Sequence, residues 1–177
     1  MFGKKSTGTI TFYYDSNAMF DDVSRLSSFM AKNLSESEGT AIDKFAITDD
    51  EKEVYAVCVK QSLTNVYDVL MKLSSGVENA FSDEVEVKTD ETDGLERKAG
   101  KYIELNIQNN RAHNVNVLQM VDTTVLMCLQ YGILAQFYSV NLNADLYRIA
   151  KDKLNESLSK LRMRLFQLKR KPVSPLM

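Results

Sequence analysis

Apolar residues recur every three or four positions along several long stretches of the chain, which is the spacing of one face of an α-helix. The first predicted helix covers residues 18–34, with Asp21 and Asp22 in its first turn, where the helix dipole favours acids. The second covers residues 48–73, and its first residue is placed to form a capping box with Glu51. Two amphipathic helices are therefore expected in the first half of the chain.

The third predicted helix, residues 115–140, is apolar around most of its circumference and is expected to be the central one. Gly132 lies inside it, and we interpret this glycine as a point of close helix–helix approach rather than a hinge. The uncharged stretch 123–144 is the one membrane candidate, but it contains five Gln, Asn and Ser side chains. A helix buried in protein is the better interpretation.

The fourth predicted helix follows Asn143, which is placed to cap it, and runs to about residue 170. Leu142 and Tyr147 have the spacing of a hydrophobic staple. The apolar positions from Tyr147 to Leu168 are close to a heptad repeat. They span too few heptads for a free coiled coil, so we expect a stripe packed inside the bundle.

The period changes to two in two other parts of the chain, which indicates β-strands. Residues 9–14 read as a short strand with Ile10, Phe12 and Tyr14 on one face. Residues 81–108 read as a hairpin with a polar turn at 89–94. An isolated two-stranded ribbon is marginal in water, so it is expected to pack on the helices or on another subunit.

The expected fold is therefore mainly α, a bundle of about four helices with a β-hairpin insert and a short N-terminal strand. With 44% hydrophobic and 26% charged residues, the composition is that of a globular protein. We expect a single domain, 1–177, comprising the bundle at 17–170, the insert at 81–108 and an extended tail at 171–177. Two prolines and seven glycines among 177 residues favour long helices over a loop-rich fold.

Catalytic and metal-binding patterns are missing from the sequence, so we expect neither an enzyme nor a cofactor. His113 is the only histidine and cannot anchor a common zinc site. Cys58 and Cys128 lie in apolar runs and read as buried free thiols of a reducing compartment. The acidic turn before Gly94 does not fit a calcium-binding loop. If Gly94 takes the sixth position of such a loop, Gly100 takes the twelfth, where a bidentate Glu is needed. An uncharacterised enzyme stays open only as a third interpretation.

Charge is segregated along the chain. Residues 78–96 contain eight acids and one lysine, whereas residues 160–171 contain six basic residues and no acid. The basic run is explained by a solvated helix end whose cations suit the dipole, by phosphate binding, or by contact with an acidic patch on a neighbouring subunit. Under the last interpretation the subunit or tier contacts are Glu84, Glu86, Asp90, Glu91, Asp93, Arg162 and Arg164.

Three short segments carry a resemblance to a known family. They are Leu-Ala-Gln-Phe-Tyr at 134–138, Asn-Leu-Asn-Ala-Asp-Leu-Tyr at 141–147, and Lys-Arg-Lys-Pro-Val-Ser-Pro at 169–175. With the bundle, the strand-containing insert and the tail, the chain resembles the neck or head–tail connector (adaptor) proteins of tailed bacteriophages, in particular those of phages of gut Bacteroidetes-type bacteria. The resemblance covers about two thirds of the chain.

The resemblance implies a structural protein of the virion neck, assembled in the host cytoplasm without a membrane. It implies a ring, commonly of twelve copies, beneath the portal and next to other neck or tail proteins, with DNA passing through its channel without sequence-specific binding. The segment that docks onto the portal or a neighbouring ring would be Lys169, Arg170, Lys171, Pro172, Val173, Ser174, Pro175, Leu176 and Met177. The alternative is a small nucleic-acid-binding or regulatory protein that uses the basic end of its last helix.

Overall fold

Four α-helices make up most of the residues that the structure describes. The computed structural model describes residues 2–5, 9–38, 45–71, 76–82, 86–89, 96–99, 102–108 and 115–169. The helices are α1 (Ser16–Glu38), α2 (Lys52–Met71), α3 (Val115–Val140) and α4 (Ala144–Lys169). The prediction of a mainly helical fold with four helices is confirmed, and the bounds of α3 are those expected.

Within the described part of the chain, six short strands accompany the helices: β1 (Phe2–Lys5), β2 (Thr9–Asp15), β3 (Gly76–Ser82), β4 (Glu86–Thr89), β5 (Glu96–Ala99) and β6 (Tyr102–Gln108). An antiparallel sheet has the order β1-β2-β6-β3, and β4 and β5 form a separate antiparallel pair. The predicted hairpin insert and N-terminal strand are both present. The insert begins five residues earlier than predicted, and the hairpin divides into an inner pair, β3–β6, and an outer pair, β4–β5.

The N-terminal strand joins the insert, which the sequence did not indicate. In the register of β2 and β6, Phe12 lies opposite Leu105 and Tyr14 lies opposite Ile103. These side chains and the pair Ile10 and Ile107 are buried, so one face of the sheet is apolar, as the period of two predicts. A two-stranded ribbon is marginal in water, and pairing with β2 turns it into a sheet that covers the helices.

The first two helices begin through side-chain caps. Asp15 Oδ1 accepts a hydrogen bond from the Ala18 amide at 2.8 Å, so α1 starts at Ser16, two residues before the predicted position. Asp21 and Asp22 consequently lie beyond the first turn, and the predicted dipole role for them is wrong. Before α2, Glu51 Oε2 accepts from the Thr48 amide at 2.8 Å, as a capping box requires, although the first turn, Asp49–Glu51, is a 3₁₀ turn.

The connection between α3 and α4 is a Schellman turn. The Asn143 amide donates to the Tyr138 carbonyl at 3.0 Å, and the Leu142 amide donates to the Ser139 carbonyl at 3.4 Å. Asn143 Oδ1 accepts from the Leu146 amide at 3.0 Å, which confirms Asn143 as the cap of α4. The predicted staple is wrong because Leu142 adopts φ 53° and is 90% exposed.

Helix α3 is the central element, as predicted, and packs against α4, α2 and α1. Val121, Val125, Leu129 and Ile133 are fully buried along it. Its span Asn116–Val140 is long and apolar enough to cross a membrane, and 50% of that hydrophobic window is buried inside the protein. The contacts with three other helices are those of a protein core.

One stripe of α4 packs on the bundle. Leu154 and Leu161 are almost fully buried, and Leu165 is 6% exposed. The residues of the outer side remain in solvent, so α4 is a peripheral helix. The predicted packing of the stripe inside the bundle is confirmed for Leu154, Leu161 and Leu165, but it is wrong for Tyr147, which is 37% exposed.

Candidate functional site

The basic end of α4 does not present all of its cations to solvent. Lys160 Nζ donates to Glu156 Oε1 at 2.6 Å and lowers the pKa of that carboxyl. Arg164 turns inward, and its guanidinium donates to the Met120 carbonyl and the Thr124 hydroxyl. Arg162 is exposed. Of the two arginines predicted to contact another subunit, one is therefore engaged within the chain.

The remaining predicted contact residues are placed only in part. Glu86 is the first residue of β4 and pairs in register with Ala99, and Lys169 is the last residue of α4. The other acidic residues predicted as contacts, Glu84, Asp90, Glu91 and Asp93, lie outside the described residues, as do His113 and residues 170–177. The contact between acidic insert and basic helix end thus stays a prediction.

A shallow cleft lies where β2, α1 and α3 meet. It has a volume of about 400 Å³, and its apolar part is formed by Ala18, Met19 and Leu126 with the rings of Tyr13 and Tyr14. The carboxyl-bearing residues Asp15 and Asp22 also line it. An adjoining cleft of about 360 Å³ shares Asp22 and is lined in addition by Arg25, Leu26 and Gln130. We call the first of these the β2–α1–α3 cleft.

Hydrogen bonds fix the walls of the β2–α1–α3 cleft. Tyr14 Oη donates to Asp122 Oδ1 at 2.9 Å and ties β2 to α3. Burial, together with the Asp122 carboxylate, holds the pKa of Tyr14 well above its usual range. Asp22 accepts from Arg25 at 2.6 Å and from Gln130 Nε2 at 3.4 Å, which joins α1 to α3. The cleft is therefore a preformed, apolar hollow with an acidic rim.

Large apolar side chains are exposed on one face of α3 and on the outer face of α4. Met120 and Met127 are 44% and 41% exposed and lie seven residues apart on one face of α3. On the outer face of α4, Met163 is 58% exposed and Phe166 is 55% exposed.

The two cysteines lie in the core. Cys58 and Cys128 are buried free cysteines, as predicted. Burial raises the pKa of Cys58 to about 11 and that of Cys128 to about 12, so neither is a thiolate near neutral pH. Among the described residues there is no group of three or more His, Cys, Asp or Glu side chains that could hold a metal ion.

The sequence did not indicate the cleft because its walls come from parts of the chain about a hundred residues apart. Asp22 and Gln130 meet through a hydrogen bond across 108 positions. The available signal was Gln130 itself, a polar side chain in the most apolar helix. Comparison with protein-family models, with curated proteins and with solved structures finds no match.

Proposed function

We propose that this chain is a structural subunit that assembles with copies of itself, and that the assembly is a neck ring between the portal and the tail of a tailed bacteriophage. The ring form and the phage setting rest on the resemblance of segments 134–138, 141–147 and 169–175. No catalytic step, cofactor or membrane belongs to this proposal. DNA passes through the channel of the ring without sequence-specific contacts.

The supporting observation is the uncovered face of α3. Helix α3 packs against α1, α2 and α4, and Tyr14 of β2 donates a hydrogen bond to its Asp122. The side of α3 that remains exposed carries Met120 and Met127 beside the polar residues Gln119 and Thr123. Because the neighbouring sides of the helix are already packed against protein, a further protein surface is the cover that fits this face.

The charges of α4 favour assembly over nucleic-acid binding. Phosphate binding gains from each cation that is available to neutralise a phosphate. Lys160 is paired with Glu156, and Arg164 is hydrogen-bonded to α3. Fewer cations at this end of α4 are therefore available to neutralise DNA phosphates than the sequence suggests.

The test is the mass and shape of the purified full-length chain, alone and after co-expression with the portal protein from the same source. We expect a discrete ring in electron micrographs and a single oligomer of high mass in native mass spectrometry. The portal is expected to co-purify with the chain, and deletion of residues 169–177 is expected to abolish this co-purification.

A second variant separates charge from apolar contact in the docking segment. Replacement of Lys169, Arg170 and Lys171 by Gln keeps the segment's length and its apolar residues. It is expected to weaken portal binding in proportion to the lost cations. A chain that stays monomeric in the presence of portal, or that binds portal equally well without residues 169–177, would contradict the proposed function.

A further inference from the structure

The outer face of α4 carries an apolar pair at the spacing of one helical turn. Met163 and Phe166 lie three residues apart and are both more than half exposed. Single exposed apolar residues are ordinary, but this pair is adjacent to the exposed cation Arg162. We call Met163, Phe166 and Arg162 the α4 knob.

The α4 knob cannot reach the β2–α1–α3 cleft of its own chain. Leu161 is fully buried against the bundle, and Met163, two positions on, projects from the helix about 200° away. The knob therefore points away from α3, while the cleft is formed by α3 together with β2 and α1. A contact between the two surfaces requires a second copy.

The two surfaces are complementary in polarity and in charge. The cleft offers an apolar hollow of Ala18, Met19 and Leu126 with Asp15 at its rim, whereas the second rim carboxylate, Asp22, is ion-paired with Arg25 of its own chain. The knob offers the flexible side chain of Met163 and the aromatic ring of Phe166 beside the guanidinium of Arg162. Buried aromatic and arginine anchors of this kind supply most of the free energy of an interface, and opposite charges at the rim steer association.

We propose that the α4 knob of one copy docks in the β2–α1–α3 cleft of the next copy, with Arg162 facing Asp15. This inference rests on the proposed function and names the contact by which the subunits assemble. The contact joins two different surfaces, so in a pair of copies the cleft of one copy and the α4 knob of the other remain undocked. Repetition of such a contact closes into a ring when the rotation between copies permits.

Two variants each remove one half of the contact. In the knob variant, Met163→Glu and Phe166→Glu replace exposed side chains with charges that the acidic rim repels. In the cleft variant, Ala18→Arg places a long cation on an exposed position of the cleft. The matched control is Phe29→Glu, which removes a 64% exposed aromatic side chain on α1 away from the cleft lining.

Sedimentation velocity over a concentration series measures the outcome. We expect wild type and Phe29→Glu to form the same large oligomer. The knob and cleft variants are each expected to be monomeric, with a dissociation constant raised at least about thirtyfold, as for the loss of an interface anchor. An equimolar mixture is expected to form a heterodimer and nothing larger, because it contains one intact contact.

Formation of the heterodimer also shows that both variants are folded. Arg162→Glu is a milder second variant at an exposed position, and it is expected to weaken assembly about tenfold and to reduce the salt dependence of assembly. Variants that assemble like wild type, or a mixture that stays monomeric, overturn the proposed contact. Neither result contradicts the proposed function, in which the chain is an assembling subunit. A wild-type chain that is monomeric at every concentration overturns both.

Discussion

Gly132 of α3 lies directly against Ser62 of α2. A Cβ atom added at Gly132 would approach the Ser62 side chain to 3.0 Å at its Cβ and closer still at its hydroxyl. Ser62 Oγ donates to the Leu129 carbonyl at 3.0 Å, and the serine is fully buried. Close approach of two helices, rather than a hinge, is therefore the reason for the glycine, as the sequence analysis predicted.

This contact predicts the effect of Gly132→Ala. The added methyl group overpacks the α2–α3 contact and is expected to lower the free energy of unfolding by about 1–3 kcal/mol. With Ser62→Gly in the background, the clash is gone and the same substitution is expected to gain about 1 kcal/mol from helix propensity. Urea unfolding of the four proteins in this cycle measures both effects. Equal effects in the two backgrounds would contradict the close approach.

Leu142 is a position where the chain itself is strained. It adopts φ 53° in the Schellman turn, where glycine is usual, and its side chain is 90% exposed. Leu142→Gly is expected to raise the free energy of unfolding by about 1 kcal/mol. Leu142→Ala keeps the unfavourable backbone and is expected to change it by less than about 0.5 kcal/mol. Thermal unfolding of the three proteins provides the comparison, which fails if alanine stabilises as much as glycine.

Arg164 and Arg162 differ in role although they are two residues apart. Arg164 donates to the Met120 carbonyl and the Thr124 hydroxyl on α3, so Arg164→Ala is expected to lower the free energy of unfolding by about 1.5 kcal/mol. Arg162 is exposed, and Arg162→Ala is expected to cost less than about 0.5 kcal/mol. Urea unfolding below the concentration at which copies associate measures both. The same cost for the two variants would show that Arg164 is not a tie between the helices.

The two buried thiols predict a loss of stability at alkaline pH. In the unfolded chain a cysteine ionises around its ordinary pKa of 9.0, whereas burial raises the pKa of Cys58 to about 11 and that of Cys128 to about 12. Above pH 9 the unfolded state therefore binds fewer protons than the folded state, and the free energy of unfolding falls as pH rises. Each thiol contributes a slope of about 1.4 kcal/mol per pH unit.

Cysteine-to-alanine variants isolate this effect. Cys128→Ala is expected to remove its share of the slope from pH 9 to about pH 12, and Cys58→Ala to remove its share from pH 9 to about pH 11. The smaller alanine side chain lowers the free energy of unfolding by the same amount at every pH below 8. This cost therefore does not change the slope of the free energy of unfolding against pH. Urea unfolding between pH 7 and 11 measures the curves, and parallel curves for wild type and both variants would refute the prediction.

Local patterns along the chain determined which segments are helices and strands and which of their faces are buried. A capping side chain and the residues it caps lie within one helical turn, and an apolar stripe repeats along one element. Asn143, the leucines of α4 and the alternating residues of β2 and β6 could therefore be interpreted without any knowledge of the tertiary structure. The predicted start of α1 was two residues too late because Asp21 and Asp22 were interpreted as its first-turn acids, whereas Asp15 caps the helix.

The tertiary structure alone decided which segments meet. Pairing of β2 with β6 brings together residues 87 to 99 positions apart, and no local period encodes such a pairing. The β2–α1–α3 cleft and the inward turn of Arg164 follow from it and from the packing of α4 on α3. Contacts between segments distant in sequence depend on the free energy of the whole core. Each side chain in the core is buried only because the other segments have packed around it.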